Sequence, residues 1–570
     1  MATSRSRRAA SSGDGGGAGP ASLRKDGPRP DLPFRRVLIA NRGEIAVRII
    51  RACRELGLES IAVYSDADRT AGHVRLADHA VRIGPAAPTE SYLRIDALLD
   101  AAQSARAEAI HPGYGFLAER AEFARRVVEA GLTFVGPSPA AIEALGDKLH
   151  ARRLAQSVGV PVVPGTLEPA SIERPDELPP LVAEAERIGF PLLVKAAAGG
   201  GGRGMRRVES ARDLPTALLD GSHEAAAAFG DGRVYLEREI APARHIEVQL
   251  LGDATGRVLA IGERDCSLQR RHQKLVEEAP APGLTTAERR SIHALAVAVA
   301  SAAGLTNAAT AEFLRAEDGS FHFLEVNTRL QVEHGVTELV TGLDIVREQF
   351  HLAAGYPLSA AAIEAAERAA EPAGHAIEVR IAAEDPGNDF APTPGTIGRW
   401  LMPAGPGVRV DTAVEAGDRI PPEYDNLIAK VMVHAGDRDQ ALDRLARALR
   451  ETEVSGIQTT LPFHRFVAAH GGFRRGELST GWVDEHWDAR TSWDRAQRLA
   501  GLAAALVWGR SGGSAGVGLD SSRGTASVGG DGNPTGADRQ VTPAADQDGT
   551  GGASTWSRAA LEAATDRWPT

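Results

Sequence analysis

The chain has 570 residues, of which 43% are hydrophobic and 24% charged, and its formal net charge is −11. This length is sufficient for several domains with a large buried core. No run of about 18 or more uncharged apolar residues occurs, which excludes a transmembrane helix. The negative charge argues against a general nucleic-acid binder, because phosphate contacts need a basic surface.

Ordered structure is predicted to begin near Phe34. Residues 1–33 are rich in Ser, Arg, Gly and Pro and lack the apolar stretch of a secretory signal, so we expect a disordered leader on a cytoplasmic protein. The two cysteines, Cys53 and Cys266, are far apart. They are expected to be reduced thiols, because two such residues cannot form a disulfide framework or a zinc site.

Residues 34–147 open with a strand–helix–strand pattern. Val37–Ala40 is a short apolar strand, Asn41–Glu44 is a turn, and a helix with one apolar face leads to a second strand at Ser60–Tyr64. This pattern is typical of a βαβ unit, so we predict a doubly wound parallel sheet.

Lysine is rare in this chain, since 59 of its 64 basic residues are arginine. A compact ammonium differs chemically from a guanidinium, so each lysine marks a position where that difference can matter. The five lysines are Lys25, Lys148, Lys195, Lys274 and Lys430.

A glycine-rich stretch follows the apolar strand Leu192–Val194. It includes Gly199, Gly200, Gly201, Gly202 and Gly204. The helix that a Rossmann motif requires does not follow, because Met205–Val208 is strand-like, and the Gly-Lys-Ser/Thr of a Walker A loop is missing. The stretch is therefore either a lid with free backbone N–H groups that closes over phosphates or a plain flexible hairpin.

Charged and polar residues are unusually dense at Glu263–Lys274. A strand upstream of this cluster places His245 and Glu247 on one face. Such density favours a functional site, with a solvated strand face as the alternative reading.

Two acidic residues are predicted to oppose each other across a hairpin. Asp318-Gly319 favours a two-residue type I′ turn, which sets Glu317 opposite Ser320 and Glu312 opposite Glu325. Facing carboxylates destabilise a sheet unless a cation lies between them. With Asn327 on the same face, they suit Mg²⁺ or Mn²⁺. An acidic edge in solvent, or one protonated carboxyl, is the alternative.

The same strand is predicted to continue into Arg329, Gln331 and Glu333 at a spacing of two. An arginine, an amide and a carboxylate beside a metal can hold a small oxyanion and move its proton. A charged strand face in solvent is the alternative.

The remaining chain divides into a third block and a tail. Residues 370–487 contain strands and a helix at Arg438–Glu451, and residues 488–570 include a Gly/Ser/Asp-rich stretch between two short helices. That stretch cannot bury enough apolar surface to fold, so we expect the tail to be largely disordered.

These motifs together resemble biotin carboxylases of the ATP-grasp superfamily. Further signatures of that family are similar to Asn41–Ala46, His111–Phe116, Gly374–Arg380 and Tyr424–Asn426. The resemblance covers residues 34–487. It implies a pre-ATP-grasp domain (34–147), an ATP-grasp domain (148–355) with a lid subdomain at about 165–236, and a C-terminal biotin carboxylase α+β domain (370–487).

The resemblance also implies roles for individual residues. It implies that ATP is bound by Lys148, Lys195, Gly200, Gly201, Gly202, Glu237, Ile240, His245, Gln269 and His272. It assigns the metal to Glu312, Glu325 and Asn327, and bicarbonate to Lys274, Arg329, Gln331, Val332 (through its backbone) and Glu333. Glu333 would deprotonate bicarbonate, carboxyphosphate would form, and Arg380 would stabilise the biotin enolate that attacks CO₂.

Two positions depart from the family pattern. Ala198 replaces a glycine of the lid loop, which implies a slightly stiffer lid, and Gly335 stands where proline is usual. Neither change removes a functional group.

The implied partners are a biotin carboxyl carrier protein and a carboxyltransferase subunit, in the first half-reaction of an acetyl- or acyl-CoA carboxylase of fatty acid biosynthesis. Biotin is expected on another polypeptide, because no lysine follows Lys430. The resemblance also implies a homodimer that binds neither nucleic acid nor membrane. The alternatives are another ATP-grasp carboxylate ligase, such as a carbamoyl-phosphate-synthase-like enzyme, and a non-catalytic assembly subunit.

Overall fold

The computed structural model of the protein describes residues 32–170, 178–197 and 205–490, and six further residues between 494 and 504. Residues 1–31 of the expected leader lie outside the described residues. So do the glycine loop at 198–204 and most of the predicted tail.

The N-terminal block is a five-stranded parallel sheet with helices on both faces. Its elements are β1 (Arg36–Ile39), α1 (Gly43–Leu56), β2 (Glu59–Ser65), α2 (Gly72–Leu76), β3 (His79–Gly84), α3 (Ile95–Ser104), β4 (Ala109–His111), α4 (Ala121–Glu129), β5 (Thr133–Phe134) and α5 (Pro139–Gly146). The strand order is β3-β2-β1-β4-β5. Val37 and Ile39 belong to one hydrophobic core and Leu38 to another, which confirms the predicted doubly wound sheet.

The middle block carries most of the charged motifs. Its elements are α6 (Lys148–Ser157), α7 (Leu178–Ile188), β6 (Leu192–Ala196), β7 (Arg206–Val208), α8 (Leu214–Phe229), β8 (Val234–Arg238), β9 (Ala243–Gly252), β10 (Val258–Arg270), β11 (Gln273–Ala279), α9 (Thr286–Ala302), β12 (Asn307–Ala316), β13 (Phe321–Asn327), α10 (His334–Thr341), α11 (Ile345–Ala353) and α12 (Ala360–Arg368). Strands β7, β6 and β8 form a small separate sheet packed against α7 and α8. This unit lies where the sequence predicts a lid.

The third block extends the main sheet of the middle block. Its elements are β14 (His375–Ala382), β15 (Glu384–Asp385), β16 (Ala391–Pro392), β17 (Gly395–Thr396), β18 (Trp400–Leu401), β19 (Val408–Thr412), β20 (Arg419–Ile420), β21 (Leu427–Ala435), α13 (Arg438–Glu451), β22 (Glu453–Val454), α14 (Leu461–Ala469), α15 (Gly471–Arg474) and α16 (Trp482–His486). One eight-stranded sheet runs β13-β12-β9-β10-β11-β14-β21-β19. The predicted boundary between 355 and 370 therefore lies in a connection within one sheet. In the described part of the chain, no helix has the length and apolarity needed to cross a membrane.

The turn between β12 and β13 differs from the predicted one. The expected two-residue loop, with Glu317 opposite Ser320, is wrong. Ala316 pairs with Ser320 instead, its N–H donating to the Ser320 carbonyl at 2.9 Å. Gly319 has a φ of 86°, and Asp318 is not in the left-handed region that a type I′ turn requires at both positions. The loop is therefore three residues long and ends in a left-handed glycine.

The predicted pairing of the two acids nevertheless holds. Glu312 lies opposite Glu325, and Thr310 lies opposite Asn327. An irregularity between Glu312 and Phe313 absorbs the one-residue shift that the longer turn introduces.

Strand β13 ends at Asn327, and residues 328–333 form an irregular connection to α10. The prediction that Arg329, Gln331 and Glu333 share a strand face is therefore wrong. The ladder between β12 and β13 stops at the pair of Thr310 and Asn327, so the backbone beyond it has no strand partner.

Helix α10 lies close against strand β21 at Gly335. A Cβ atom added to Gly335 would lie 2.3 Å from Met432 Sδ. Met432 is itself fully buried, in a cluster with Ala279, Val336 and Ala376. A side chain at position 335 would therefore require the buried Met432 side chain to move.

We expect Gly335→Ala to lower the free energy of unfolding by about 1–3 kcal/mol, because the added methyl overpacks a buried contact. Helix propensity alone predicts the opposite, a gain of about 0.5–1 kcal/mol. Urea denaturation measures the change. The double variant with Met432→Ala should lose less than the sum of the single losses. A Gly335→Ala protein as stable as the wild type would contradict the tight contact.

Candidate active site

The predicted motifs meet at Lys274, near the start of β11. Its Nζ lies 2.5 Å from Glu247 Oε2, 2.9 Å from Glu312 Oε1 and 2.8 Å from Glu333 Oε1. These carboxylates come from β9, from β12 and from the residue before α10. One ammonium therefore joins three separate elements of the site.

The charge on Lys274 is stabilised by its neighbours. Burial lowers the pKa of the Lys274 ammonium, but Glu247, Glu312 and Glu333 raise it by more, so that the pKa lies well above its usual value. The lysine therefore stays protonated and partly offsets the three acids.

Glu312 has polar or charged groups beside both of its oxygens. Besides Lys274, its Oε1 accepts bonds from Asn327 Nδ2 at 2.8 Å and Gln331 Nε2 at 3.2 Å, and its Oε2 lies 2.9 Å from His245 Nε2. Burial raises the pKa of Glu312, but Lys274 and His245 lower it by more, so that this pKa lies below its usual range. Glu312 is therefore an ionised carboxylate.

Glu325, opposite Glu312, has a cation of its own. Lys148 Nζ, at the start of α6, lies 2.8 Å from Glu325 Oε2. Burial lowers the pKa of Lys148, but Glu325 raises it above its usual value. Each acid of the pair thus has a separate positive partner, which explains how the sheet tolerates two facing carboxylates.

The expected metal-binding set fits a hard divalent cation. Glu312, Glu325 and Asn327 offer carboxylate and amide oxygens, the ligands that Mg²⁺ and Mn²⁺ prefer. In the structure those oxygens accept bonds from Lys274, Lys148 and Arg329, the last by Nη2 to Asn327 Oδ1 at 3.0 Å. Positive charge is therefore already concentrated where a metal ion would lie.

Arg329 and Gln331 converge although they are not on a strand. Arg329 Nη1 donates to Gln331 Oε1 at 2.8 Å, and Arg329 Nε lies 3.0 Å from Glu119 Oε2. Glu119 belongs to the N-terminal block, so this contact ties that block to the site.

Glu333 is completely buried between two cations. Its Oε1 contacts Lys274, and its Oε2 accepts a bond from Arg380 Nη2 at 3.0 Å. Burial raises the pKa of Glu333, but Lys274, Arg380 and Arg264 together lower it well below its usual range. The carboxylate is ionised and can accept a proton once a cation shifts toward a bound anion.

The backbone of Val332, which is expected to contact bicarbonate, is hydrogen-bonded by a buried lysine. Its carbonyl accepts a bond of 2.7 Å from Lys430 Nζ, which also lies 3.3 Å from Glu44 Oε1. Lys430 is fully buried. This lysine therefore fixes the connection that carries Arg329, Gln331 and Glu333.

The second expected phosphate-binding lysine, Lys195, lies on β6. It forms an ion pair with Glu237, which also binds Arg152. Burial raises the pKa of Glu237, and Lys195 and Arg152 lower it below its usual value. Ile240 follows β8 and is half-buried. The predicted ATP-binding residues Gly200, Gly201 and Gly202 lie outside the described residues.

Gln269 and His272 lie at the hairpin between β10 and β11. Gln269 pairs in register with Lys274. The two-residue turn has positive φ at Arg271 (49°) and His272 (65°), which is uncommon for residues other than glycine. Burial and the positive charges of Lys195 and Lys148 lower the pKa of His272, so this turn faces the expected ATP-binding lysines.

Arg264 is a buried connector that the sequence did not single out. Its Nε binds Glu247, its Nη1 donates to Gln249 Oε1 at 3.0 Å and to Thr337 Oγ1 at 2.8 Å, and its Nη2 donates to Thr310 Oγ1 at 3.2 Å. It thereby links β9, β10, β12 and α10.

Sequence reasoning missed several residues that contact the predicted ones. They are Glu44, Glu119, Arg152, Arg264 and Glu277. Glu44 and Arg264 lie within segments noted above, but nothing in the sequence indicated which residues the members of this set contact, because their partners are not neighbours in the chain. Lys430 was noted only as a rare lysine.

Three family models match the chain in order. They are "Biotin carboxylase, N-terminal domain" at residues 33–142, "Carbamoyl-phosphate synthase L chain, ATP binding domain" at 147–361 and "Biotin carboxylase C-terminal domain" at 378–485. Models named for biotin carboxylase thus flank the ATP-binding match on both sides.

The chain is also similar to individual proteins over most of its length. It is 48% identical over 453 residues to a pyruvate carboxylase subunit of Methanothermobacter thermautotrophicus, and the match covers 80% of this chain and 90% of that protein. It is 48% identical over 454 residues to a biotin carboxylase of Nostoc sp., with coverages of 80% and 99%.

A solved structure is also similar to the chain over most of its length. The biotin carboxylase domain dimer of Hydrogenobacter thermophilus 2-oxoglutarate carboxylase, in complex with MgADP, ADP and bicarbonate, matches with a TM-score of 0.76 at 44% identity. The match covers 80% of this chain and 98% of that one.

We expect Arg264→Met to lower the free energy of unfolding by about 3–5 kcal/mol, because it removes a buried charge partner of Glu247. The shift of the urea midpoint measures this loss. Arg290→Met is the matched control, since Arg290 is exposed and its pair with Glu371 is a surface pair that contributes about 1 kcal/mol at most. Equal midpoints for the two variants would contradict a connecting role for Arg264.

Proposed function

The chain belongs to the biotin carboxylase family and is an ATP-dependent ligase that carboxylates biotin; we propose that it does so with the residues gathered around Lys274, with bicarbonate as the carboxyl donor and carboxyphosphate as the intermediate. The observation that carries this proposal is the cluster of Lys274, Arg329, Glu333 and Arg380 beside the acids Glu312 and Glu325. Such a cluster can bind a small anion next to a metal-bound phosphate.

Lys148 and Lys195 are the proposed phosphate ligands. In the structure they bind Glu325 and Glu237, and arriving phosphate oxygens compete with those carboxylates for the ammonium groups. Glu312, Glu325 and Asn327 would hold Mg²⁺ or Mn²⁺, which would neutralise phosphate charge during transfer. The loop at 198–204 is proposed as the lid that keeps water away from the intermediate.

Bicarbonate is proposed to bind between Lys274, Arg329, Gln331 and the backbone of Val332, within reach of Glu333. An anion there draws Lys274 and Arg329 toward itself, which raises the proton affinity of Glu333. Glu333 then removes the bicarbonate proton, and the resulting oxyanion attacks the γ-phosphoryl group of ATP to give carboxyphosphate and ADP.

Carboxyphosphate breaks down to CO₂ and phosphate, and the phosphate takes the proton from the biotin ureido nitrogen. Arg380 is proposed to stabilise the enolate that results, because its guanidinium reaches the site from β14. The enolate nitrogen attacks CO₂ and forms carboxybiotin.

We further propose that biotin arrives on a separate carrier protein and that a carboxyltransferase passes the carboxyl group to the final acceptor. Two relatives are named as carboxylase subunits, which supports a carrier and a carboxyltransferase on other chains. The similar proteins include pyruvate and 2-oxoglutarate carboxylases and also an acyl-coenzyme A carboxylase subunit, and an acetyl- or acyl-CoA is the acceptor proposed for this chain. A homodimer in the cytoplasm is proposed with it, on the likeness to the dimeric Hydrogenobacter domain.

We expect free biotin to stimulate bicarbonate-dependent ADP formation by the wild type. Lys274→Met should reduce that activity by about 10²-fold or more, because the cation that balances three carboxylates and holds the anion is lost. A coupled assay of ADP measures both effects. The control is Arg125→Met, which removes an exposed cation paired with Glu122.

Two outcomes would overturn the assignment. ADP formation that ignores biotin would favour another ATP-grasp carboxylate ligase. Calorimetry that shows no MgATP binding would favour a non-catalytic assembly subunit.

A further inference from the structure

Two buried acids face each other behind Arg380. Glu277 on β11 and Glu378 on β14 are direct partners in the antiparallel ladder. Both are fully buried. Directly opposed residues have Cβ atoms about 4.5–5.5 Å apart, and two like charges at that separation destabilise a sheet.

The two acids differ in their hydrogen bonds. Glu277 Oε1 accepts a 2.6 Å bond from Arg380 Nε. The other oxygen of Glu277 and both oxygens of Glu378 are buried and have no hydrogen-bond partner within the described ranges. An ionised carboxylate in that position would lack the partners that normally offset its desolvation.

The groups around the pair do not supply a second cation for it. Arg380 is shared between Glu277 and Glu333. Lys274 is bound to Glu247, Glu312 and Glu333. Lys430 donates to the Val332 carbonyl and lies beside Glu44 and Asp411. On the α10 side lies Gly335, where an added Cβ would be 3.6 Å from Glu378 Oε2 and would contribute no polar group.

We propose that Glu277 and Glu378 share a single proton, with Glu378 as its carrier, and that this pair is a positioning element that holds Arg380 against Glu333. Ionised Glu277 binds Arg380 from one side and ionised Glu333 binds it from the other. Protonated Glu378 keeps a second negative charge away from that arginine. The role in catalysis rests on the function proposed above, but the shared proton does not.

The pair makes the position of Arg380 depend on pH. Burial raises the pKa of Glu378, and the nearby charges of Glu277 and Glu333 add to the increase while Lys430 and Arg380 oppose it. Burial likewise raises the pKa of Glu277. As pH rises through the raised value, the proton leaves to solvent. Arg380 is then drawn toward two carboxylates and away from Glu333, and kcat falls.

The kinetic test compares pH profiles of free-biotin carboxylation. Glu378→Gln mimics the protonated acid, so the alkaline fall of kcat should move up by about one pH unit or more. Glu277→Gln removes the charge that holds Arg380, so kcat should fall by about 10²-fold while the KM for ATP stays close to the wild-type value.

The matched control is Glu278→Gln. Glu278 is the next residue of β11 but points to the other side, where it binds His375 and Arg438. This variant should lose stability and keep the wild-type alkaline limb. An alkaline limb that is the same in Glu378→Gln and wild type would overturn the proposal.

A second measurement needs no catalysis. Infrared difference spectra across a pH titration should show the carbonyl band of a buried protonated carboxyl in the wild type and in Glu278→Gln, but not in Glu378→Gln. The band's absence from the wild type would overturn the shared proton whatever the enzyme does. Its presence in an enzyme that does not carboxylate biotin would overturn the proposed function instead.

Discussion

The contact between the Lys274 ammonium and three buried carboxylates is the interaction on which the rest of the site depends. Glu247, Glu312 and Glu333 come from three different elements, and without a shared cation their mutual repulsion would push these elements apart. Because burial makes the interaction strong, the ammonium also ties β9, β11 and β12 together at the pocket. The same ammonium is the group that we propose contacts bicarbonate.

Further cations lie around Lys274 and the carboxylates that it contacts. Arg264 supports Glu247, Arg380 supports Glu333, and Lys430 supports the connection at Val332. Arg264, Arg380 and Lys430 lie on strands of one continuous sheet that joins the middle and C-terminal blocks. The proposed phosphate-binding lysines lie outside this sheet, Lys148 on α6 and Lys195 on β6 of the small separate sheet, whereas the proposed biotin-binding Arg380 lies on β14 within it.

Sequence reasoning predicted the parts of this arrangement that depend on local patterns. The βαβ opening, helix α13 and the pairing of Glu312 with Glu325 follow from periodicity and turn chemistry, and the structure confirms them. The turn at Asp318-Gly319 was predicted wrongly, and the pairing survived because an irregularity beside Glu312 compensates for the extra residue. Position 329 was assigned to a strand because alternating polar residues do not show where β13 stops pairing with β12. The remaining candidate site residues rest on the resemblance and stay predictions.

Long-range partners could not be read from the sequence. Glu277 and Arg380, or Arg152 and Glu237, are far apart in the chain and join only through sheet order and helix packing. The positive φ values at Arg271 and His272 are equally invisible, because neither residue type indicates a left-handed backbone.

Labelled bicarbonate shows whether the site around Lys274 carboxylates biotin. The protein is incubated with MgATP, free biotin and carbon-14 bicarbonate, and the label in biotin is compared with the ADP formed. If Lys274 holds bicarbonate for transfer to biotin, one acid-labile label should appear in biotin for each biotin-stimulated ADP, and none when ATP is omitted or Lys274 is replaced by Met. ADP formation with no label in biotin would contradict it.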